Sequence, residues 1–169
     1  LTILSPLMIP FAKYALIRAF NKRQVIAETK KAMAKLGFQR PILITSVPQA
    51  GDYVGELGEL CSVYYCVDEF ALWPGLDGHL VRSFEQQLLQ KVDLVLATSQ
   101  ALMETKKRPQ EKKGPPTLLL THGVDTDHFF LPVQAWPGEA DKEAPIKICY
   151  FGLIDERCDQ DLLLHIIRG

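Results

Sequence analysis

The sequence predicts an α/β fold, a mostly parallel sheet with helices on both faces. Three observations predict it. Five short apolar runs, several of them β-branched, punctuate the chain: "PILITSVP" (41–48), "SVYYCVDEF" (62–70), "DLVLATS" (93–99), "TLLLTHG" (117–123) and "IKICYFG" (146–152). Each is nearly continuous in hydrophobicity, as strands covered on both faces are. Segments of helical period lie between them, and strand–helix alternation builds a layered sheet through right-handed crossovers. The composition, 47% hydrophobic and 23% charged over 169 residues, is that of a globular chain rather than a disordered one.

The helices follow in order. Asn21 is the expected N-cap of the first, where Val25, Thr29, Ala32 and Leu36 form a stripe widened by Ile26 and Met33, with Gly37 as the stop. The second starts at Gly78, with Leu80, Phe84 and Leu88 on one face and Glu85, Gln86 and Gln87 on the polar side. Ser99 caps a short helix reaching about Lys106, and Asp159 caps a last one carrying Leu162, Leu163, Ile166 and Ile167. Residues 131–145, punctuated by Pro132, Pro137, Gly138 and Pro145, read as a linker. The domain assignment is therefore 1–130, a linker at 131–145, and the first strand and helix of a second domain at 146–169. That last unit cannot bury its own faces, so it is expected either to pack on the first domain or to begin a second domain that continues further; without that remainder it would dock on the first sheet or pair with another copy of the chain, a homo-oligomer.

Composition also excludes function classes. The formal net charge of −1, from 19 basic and 20 acidic residues, gives no long-range attraction to nucleic acid or to an anionic membrane and leaves only local basic clusters. The four cysteines form no C-x-x-C pair, which argues against a zinc ribbon or a redox pair and for a reducing, cytoplasmic setting. The opening "LTILSPLMIPFAKYALI" is apolar but broken by Pro6 and Pro10 and has no basic leader. Its part "LMIPFAKYALI", with Lys13, Arg18, Lys22 and Arg23 nearby, suits either a core helix or an interfacial helix in peripheral contact with the inner face of the membrane. No initiator Met is present, so the chain reads as part of something longer. The basic stretch "KKRPQEKKG" (106–114) reads as a solvated surface loop, with an anionic lipid contact as the sharper alternative.

In open parallel sheets, ligands bind at the carboxyl ends of the strands. Here those ends carry Ser46, the pair Asp68 and Glu69, Thr98 and Ser99, Thr121 and His122, and Gly152 followed by Asp155, Glu156 and Arg157. Asp68 and Glu69 point in opposite directions on a strand end, which rules out a paired-carboxylate site. Two readings of Asp68 remain, a turn cap and a base or ligand contact. His122, Asp125, Asp127 and His128 lie within seven positions, but their spacing fits no zinc or calcium loop. Asp125 and Asp127 more simply cap turns or a short helix, Gly123 supplies an unusual backbone angle, and Phe129 and Phe130 pack.

Taken in order, "VYYCVDEF", "FEQQLLQKVDLVLATSQAL", "THGVDTDHF" and "ICYFGLIDERCDQDLLLHI" resemble group 1 (family 4-like) glycosyltransferases over most of residues 41–169. In that family a strand ends in a His-Asp or Asp-Asp pair, and a Glu-bearing helix precedes "aDlV…S…L". An "NGVD…F" loop leaves the first domain, and a "vGrl…K" turn opens the second. The resemblance implies a GT-B architecture, two Rossmann-like domains facing across a cleft. The chain would be the acceptor-side domain with the start of the nucleotide-sugar domain. It also implies a retaining enzyme that moves a sugar from a nucleotide sugar to a glycan or lipid-linked acceptor, with no metal and no cofactor besides that donor. Asp68 takes the catalytic place, Glu69, Ser99 and His122 the substrate contacts, and Gly152 and Arg157 the donor diphosphate.

The chain departs from the family in several places. Asp68 stands where the family often has His, His122 replaces the Asn before Gly-Val-Asp, and Leu153 replaces the "vGrl" Arg. The Gly-rich loop after the family's first strand and the "E-x7-E" donor region have no counterpart here, and residues 1–5 read as a later strand. By the resemblance, these 169 residues alone are expected to carry out no transfer. A nonenzymatic α/β binding or interaction domain and a nucleotide-sugar epimerase of the same fold are the alternatives.

Overall fold

A computed structural model describes residues 1–107, 114–129 and 149–168. The chain divides into two units, Leu1–His122 and Gly123–Gly169. The sequence reading carries the first domain through residue 130; the division falls between His122 and Gly123.

The first unit is α/β and Rossmann-like. Its elements are α1 (Ala15–Leu36), β1 (Ile42–Thr45), β2 (Cys61–Cys66), α2 (Gly78–Leu88), β3 (Leu94–Ala97), α3 (Gln100–Lys106) and β4 (Thr117–Leu119). Short 3-10 turns at Pro48–Asp52 and Phe70–Leu72 complete it. The four strands are all parallel in the order β1-β2-β3-β4, with Ile44 opposite Val63, Tyr64 opposite Val95 and Leu96 opposite Leu118.

That order decides which face is covered. Each crossover steps the same way across the sheet, and right-handed crossovers in one direction place their connections on one face. The register puts Leu43, Thr45, Tyr64, Cys66, Val95 and Ala97 on that face. Tyr64, Cys66, Val95 and Ala97 have no exposed surface, and the core joins the first three to Ala50, Val54, Leu88, Leu89 and Val92. The opposite face carries Ile42, Ile44, Val63, Tyr65, Leu94, Leu96 and Leu118. It closes over Val63 but leaves Ile42 and Ile44 63% and 66% exposed. Cover on both faces, expected from the continuous hydrophobicity of the runs, is not reached among the described residues: one face is closed over β2 and β3, but Leu119 of β4, on that same face, is 45% exposed.

The core is closed by a tight approach. A Cβ added to Gly51 would lie 2.9 Å from Leu88 N and 3.1 Å from Phe84 O, so the 3-10 turn rests directly on the α2 backbone. α2 presents Val81, Phe84, Glu85 and Leu88 inward, and Asp77 caps it by accepting from the His79 and Leu80 amides at 3.1 Å.

α1 differs from its expected start. It begins at Ala15, and Asn21 is not its cap but a buried residue inside it. The Asn21 side-chain amide accepts from Ile9 N at 2.9 Å and donates to Ile9 O at 2.8 Å. An amide side chain offers both a donor and an acceptor, so it pairs with a peptide unit as a neighbouring strand would. Long-range pairing here overrides the local capping preference. The stop at Gly37 is as expected, with φ +73°. The stripe at Val25, Thr29, Ala32 and Met33 is half-buried, whereas Leu36 is exposed. Residues 1–9 form no strand and no helix, so the strand expected at 1–5 is absent and the apolar opening is not helical before Ala15.

The second unit contains α4 (Thr126–Phe129) and α5 (Gln160–Arg168). Asp125 caps α4 by accepting from His128 N at 3.1 Å, and Asp159 caps α5 by accepting from Leu162 N at 2.9 Å, as expected. Phe129 is 69% exposed rather than packed, and Gly123 is not among the glycines of positive φ. The linker at 131–145, Phe130 and residues 146–148 of the expected last strand lie outside the described residues; Cys149, Tyr150 and Phe151 form no strand. All four cysteines are free thiols.

Candidate functional site

The carboxyl ends of β2, β3 and β4 bring Asp68, Glu69, Ser99 and His122 to one edge of the sheet. Parallel pairing makes this unavoidable: Cys66 lies opposite Ala97, and Ala97 opposite Leu119, so the residues just beyond them emerge side by side.

Each of the four has a side-chain or backbone partner within the first unit. Asp68 is half-buried; Oδ1 accepts from Glu69 N at 2.7 Å and Oδ2 from Trp73 Nε1 at 2.9 Å. Its carboxylate thus closes the turn that leads into Phe70–Leu72. Ser99 caps α3, its Oγ accepting from Leu102 N at 3.2 Å. His122 is exposed, with Nδ1 3.4 Å from the Tyr65 hydroxyl and the two rings edge to face at 6.2 Å. Glu69 accepts from Lys106 Nζ at 2.7 Å.

That last contact opens onto a network the sequence reading does not contain. Lys106 closes α3 with its side chain only 3% exposed, and Nζ also donates to Glu85 Oε2 at 2.8 Å. Glu85 Oε1 accepts from the Tyr64 hydroxyl at 2.7 Å. Lys106 is therefore not the start of a solvated basic loop, and Glu85 is not on the polar side of α2. Residues 108–113 of that basic stretch lie outside the described residues. The signal was a matter of spacing: Glu85 follows Val81 by four and precedes Leu88 by three, which sets it on the apolar stripe. Lys106 likewise follows Leu102, which packs on the core, by four.

The electrostatics follow from burial. Burial alone would pull the Lys106 ammonium down, but hydrogen bonds to Glu69 and then Glu85 outweigh it and hold the group above the usual lysine value. Burial, then the adjacent Glu85 charge, push the Tyr64 phenol far above the ordinary tyrosine value. Burial raises the Cys66 thiol too, which keeps it protonated and unreactive at neutral pH. The edge therefore has a charged, water-poor floor with Asp68, Ser99 and His122 nearer the surface.

Comparison with family models, with curated proteins and with solved structures returned no match to this chain.

Gly152 and Arg157 belong to the second unit. A Cβ on Gly152 would meet the Tyr150 ring, 2.9 Å from its hydroxyl oxygen and 3.1 Å from Cζ, so the glycine makes room for that side chain. The Tyr150 hydroxyl donates to Leu153 O at 3.3 Å. The Arg157 guanidinium is engaged by Asp155, with Nη2 2.7 Å from Oδ2, and Arg157 N donates to Asp155 Oδ1 at 3.0 Å. The arginine's hydrogen bonds, first from its side chain and then from its backbone, hold the Asp155 carboxyl below the usual range. Among the described residues no three His, Cys, Asp or Glu side chains converge as metal ligands, and no helix is long and apolar enough to cross a membrane.

Proposed function

We propose that the chain is the acceptor-side part of a retaining glycosyltransferase that uses a nucleotide-sugar donor and a glycan or lipid-linked acceptor. One observation supports this reading above the others. Asp68, Glu69, Ser99 and His122, the residues matching the family's motifs in the first unit, stand at the carboxyl edge of one parallel sheet. In this reading Asp68 orients a sugar hydroxyl through whichever lone pairs the Glu69 amide and the Trp73 indole leave open. His122 contacts the substrate from the exposed side. Arg157 serves the donor diphosphate only if the anion displaces Asp155, an exchange of one carboxylate for a phosphate of higher charge.

The test is an amide chemical-shift titration of the chain with a panel of nucleotide sugars and oligosaccharides. Shifts clustered at residues 68–70, 98–100 and 121–122, and lost in Asp68→Asn/His122→Ala, support the reading. Absence of binding by every member of the panel, or shifts unaffected by the double substitution, overturns it.

A second reading, a nonenzymatic binding or interaction domain, is favoured by a specific observation. Asp68, Glu69 and Ser99 are all already engaged in structural hydrogen bonds.

A further inference from the structure

We propose that the outward face of α1, with the apolar segment that precedes it, docks on an anionic phospholipid bilayer. The proposal is independent of the glycosyl-transfer reading.

The inward side of α1 is identified by its contacts. Arg18 is bonded to Asp52 and Gln87 and lies 4.6 Å from the Phe84 ring centre, Lys22 reaches Glu56 at 2.6 Å, and Asn21 is buried. At 100° per residue the opposite side carries Leu16, Phe20, Arg23, Ala27, Lys30 and Lys31. All six are exposed, Leu16 at 87%. The helix thus faces outward with apolar side chains at its start and cations further on.

The preceding segment extends the apolar end. Residues 1–12 contain no charge. They are not a loose tail: the Asn21 clasp fixes Ile9, and Thr2 and Leu4 share a groove with Ala32 and Leu36. The segment is thus laid back along α1 with Leu7 73% and Phe11 64% exposed. Large apolar side chains held outward on a fixed backbone lose little further conformational freedom on burial.

Charge selects the occupant. Between Lys13 and Arg40 lie eight of the chain's 19 basic residues and one, Glu28, of its 20 acidic ones. Arg18 and Lys22 are the two that have carboxylate partners. Lys13, Arg23, Lys30, Lys31, Lys35 and Arg40 are exposed and have none among the described residues. A near-neutral chain with its cations gathered beside its exposed apolar surface matches the two components of an anionic membrane surface, headgroup charge outside and hydrocarbon beneath. A nucleic acid would use the cations but leave Leu7, Leu16 and their neighbours without a role.

The experiment is co-sedimentation of the full chain with vesicles of phosphatidylcholine and of phosphatidylcholine with about one third phosphatidylserine, at low and high salt. Binding is expected only to the anionic vesicles at low salt. The triple variant Lys30→Gln/Lys31→Gln/Lys35→Gln should weaken it on the order of a hundredfold, at about fivefold per cation near the surface. Leu16→Ser/Phe20→Ser should weaken it while leaving the salt dependence intact. These side chains point to solvent, and circular dichroism confirms that each variant is folded. No sedimentation at low salt overturns the proposal. So does binding that both variants leave unchanged, or competition by single-stranded DNA with no effect of Leu16→Ser/Phe20→Ser.

Discussion

The Lys106 ammonium lies between two carboxylates, 2.7 Å from Glu69 and 2.8 Å from Glu85, with almost no contact with water. It ties the last turn of α3 to the middle of α2 and to the turn after β2. Removing the lysine leaves Glu85 buried without its cation. Lys106→Met should therefore cost about 3–5 kcal/mol in urea unfolding. Adding Glu69→Gln and Glu85→Gln to that variant should recover most of the loss, because the penalty is an uncompensated charge and not a missing contact. A loss under about 1 kcal/mol for Lys106→Met would mean that water enters the site.

Alkaline pH should unfold the protein through the same network. Lys106 and Tyr64 both have folded values above their unfolded ones. A raised folded value contributes stability that is complete below the unfolded value and is lost as pH rises toward the folded one. Stability from these two groups should hold to about pH 10 and fall above it. Tyr64→Phe should lower stability at neutral pH by about 1–2 kcal/mol, since Glu85 loses a donor, and should flatten the alkaline limb. Denaturant midpoints measured from pH 7 to 11 check both effects.

Gly51→Ala tests the contact between the 3-10 turn and α2. The two nearest atoms, Leu88 N and Phe84 O, are backbone and cannot rotate away. The methyl group should cost about 1–3 kcal/mol, read from the thermal midpoint, despite being the smallest addition a side chain allows.

Asp68→Asn separates turn closure from chemistry. An asparagine oxygen can still accept from the Glu69 amide or the Trp73 indole, but not from both in the present arrangement. The stability cost should be about 1 kcal/mol. Under the proposed function, transfer by the complete enzyme should fall at least a hundredfold, as when one positioned group at a reacting centre is lost. Unchanged turnover with the stability cost intact would leave Asp68 as a turn residue alone.

Some features were legible in the sequence because a single local rule governs them. Ser99 and Asp159 cap because a side-chain oxygen beside a free amide needs nothing from the rest of the chain. The first four apolar runs became strands because continuous hydrophobicity excludes an amphipathic surface helix. What escaped was set by partners distant in sequence. Asn21 reads as a cap until Ile9 is folded back onto it. Lys106 reads as surface until Glu69 and Glu85 converge on it from two other elements. The edge residues Asp68, Glu69, Ser99 and His122 could be picked out from the strand ends, and the Ser99 cap with them, but the distant partners of Glu69 and His122, Lys106 and Tyr65, could not.

The sequential strand order has a kinetic meaning. Ile42 pairs beside Cys61, Val63 beside Leu94 and Val95 beside Thr117, so each ladder joins a strand to the one before it in the chain. Among the described residues, β2 and β3 are held on two sides, β1 and β4 on one. Amide hydrogens of β4 should therefore exchange with solvent well before those of β2, through an opening that leaves the rest of the sheet closed. His122 follows directly from β4, whereas Glu69 follows from β2 and is held by Lys106. The two ends of the edge thus differ in lifetime: a ligand spanning both would meet one half already formed and would have to capture the other in its closed intervals.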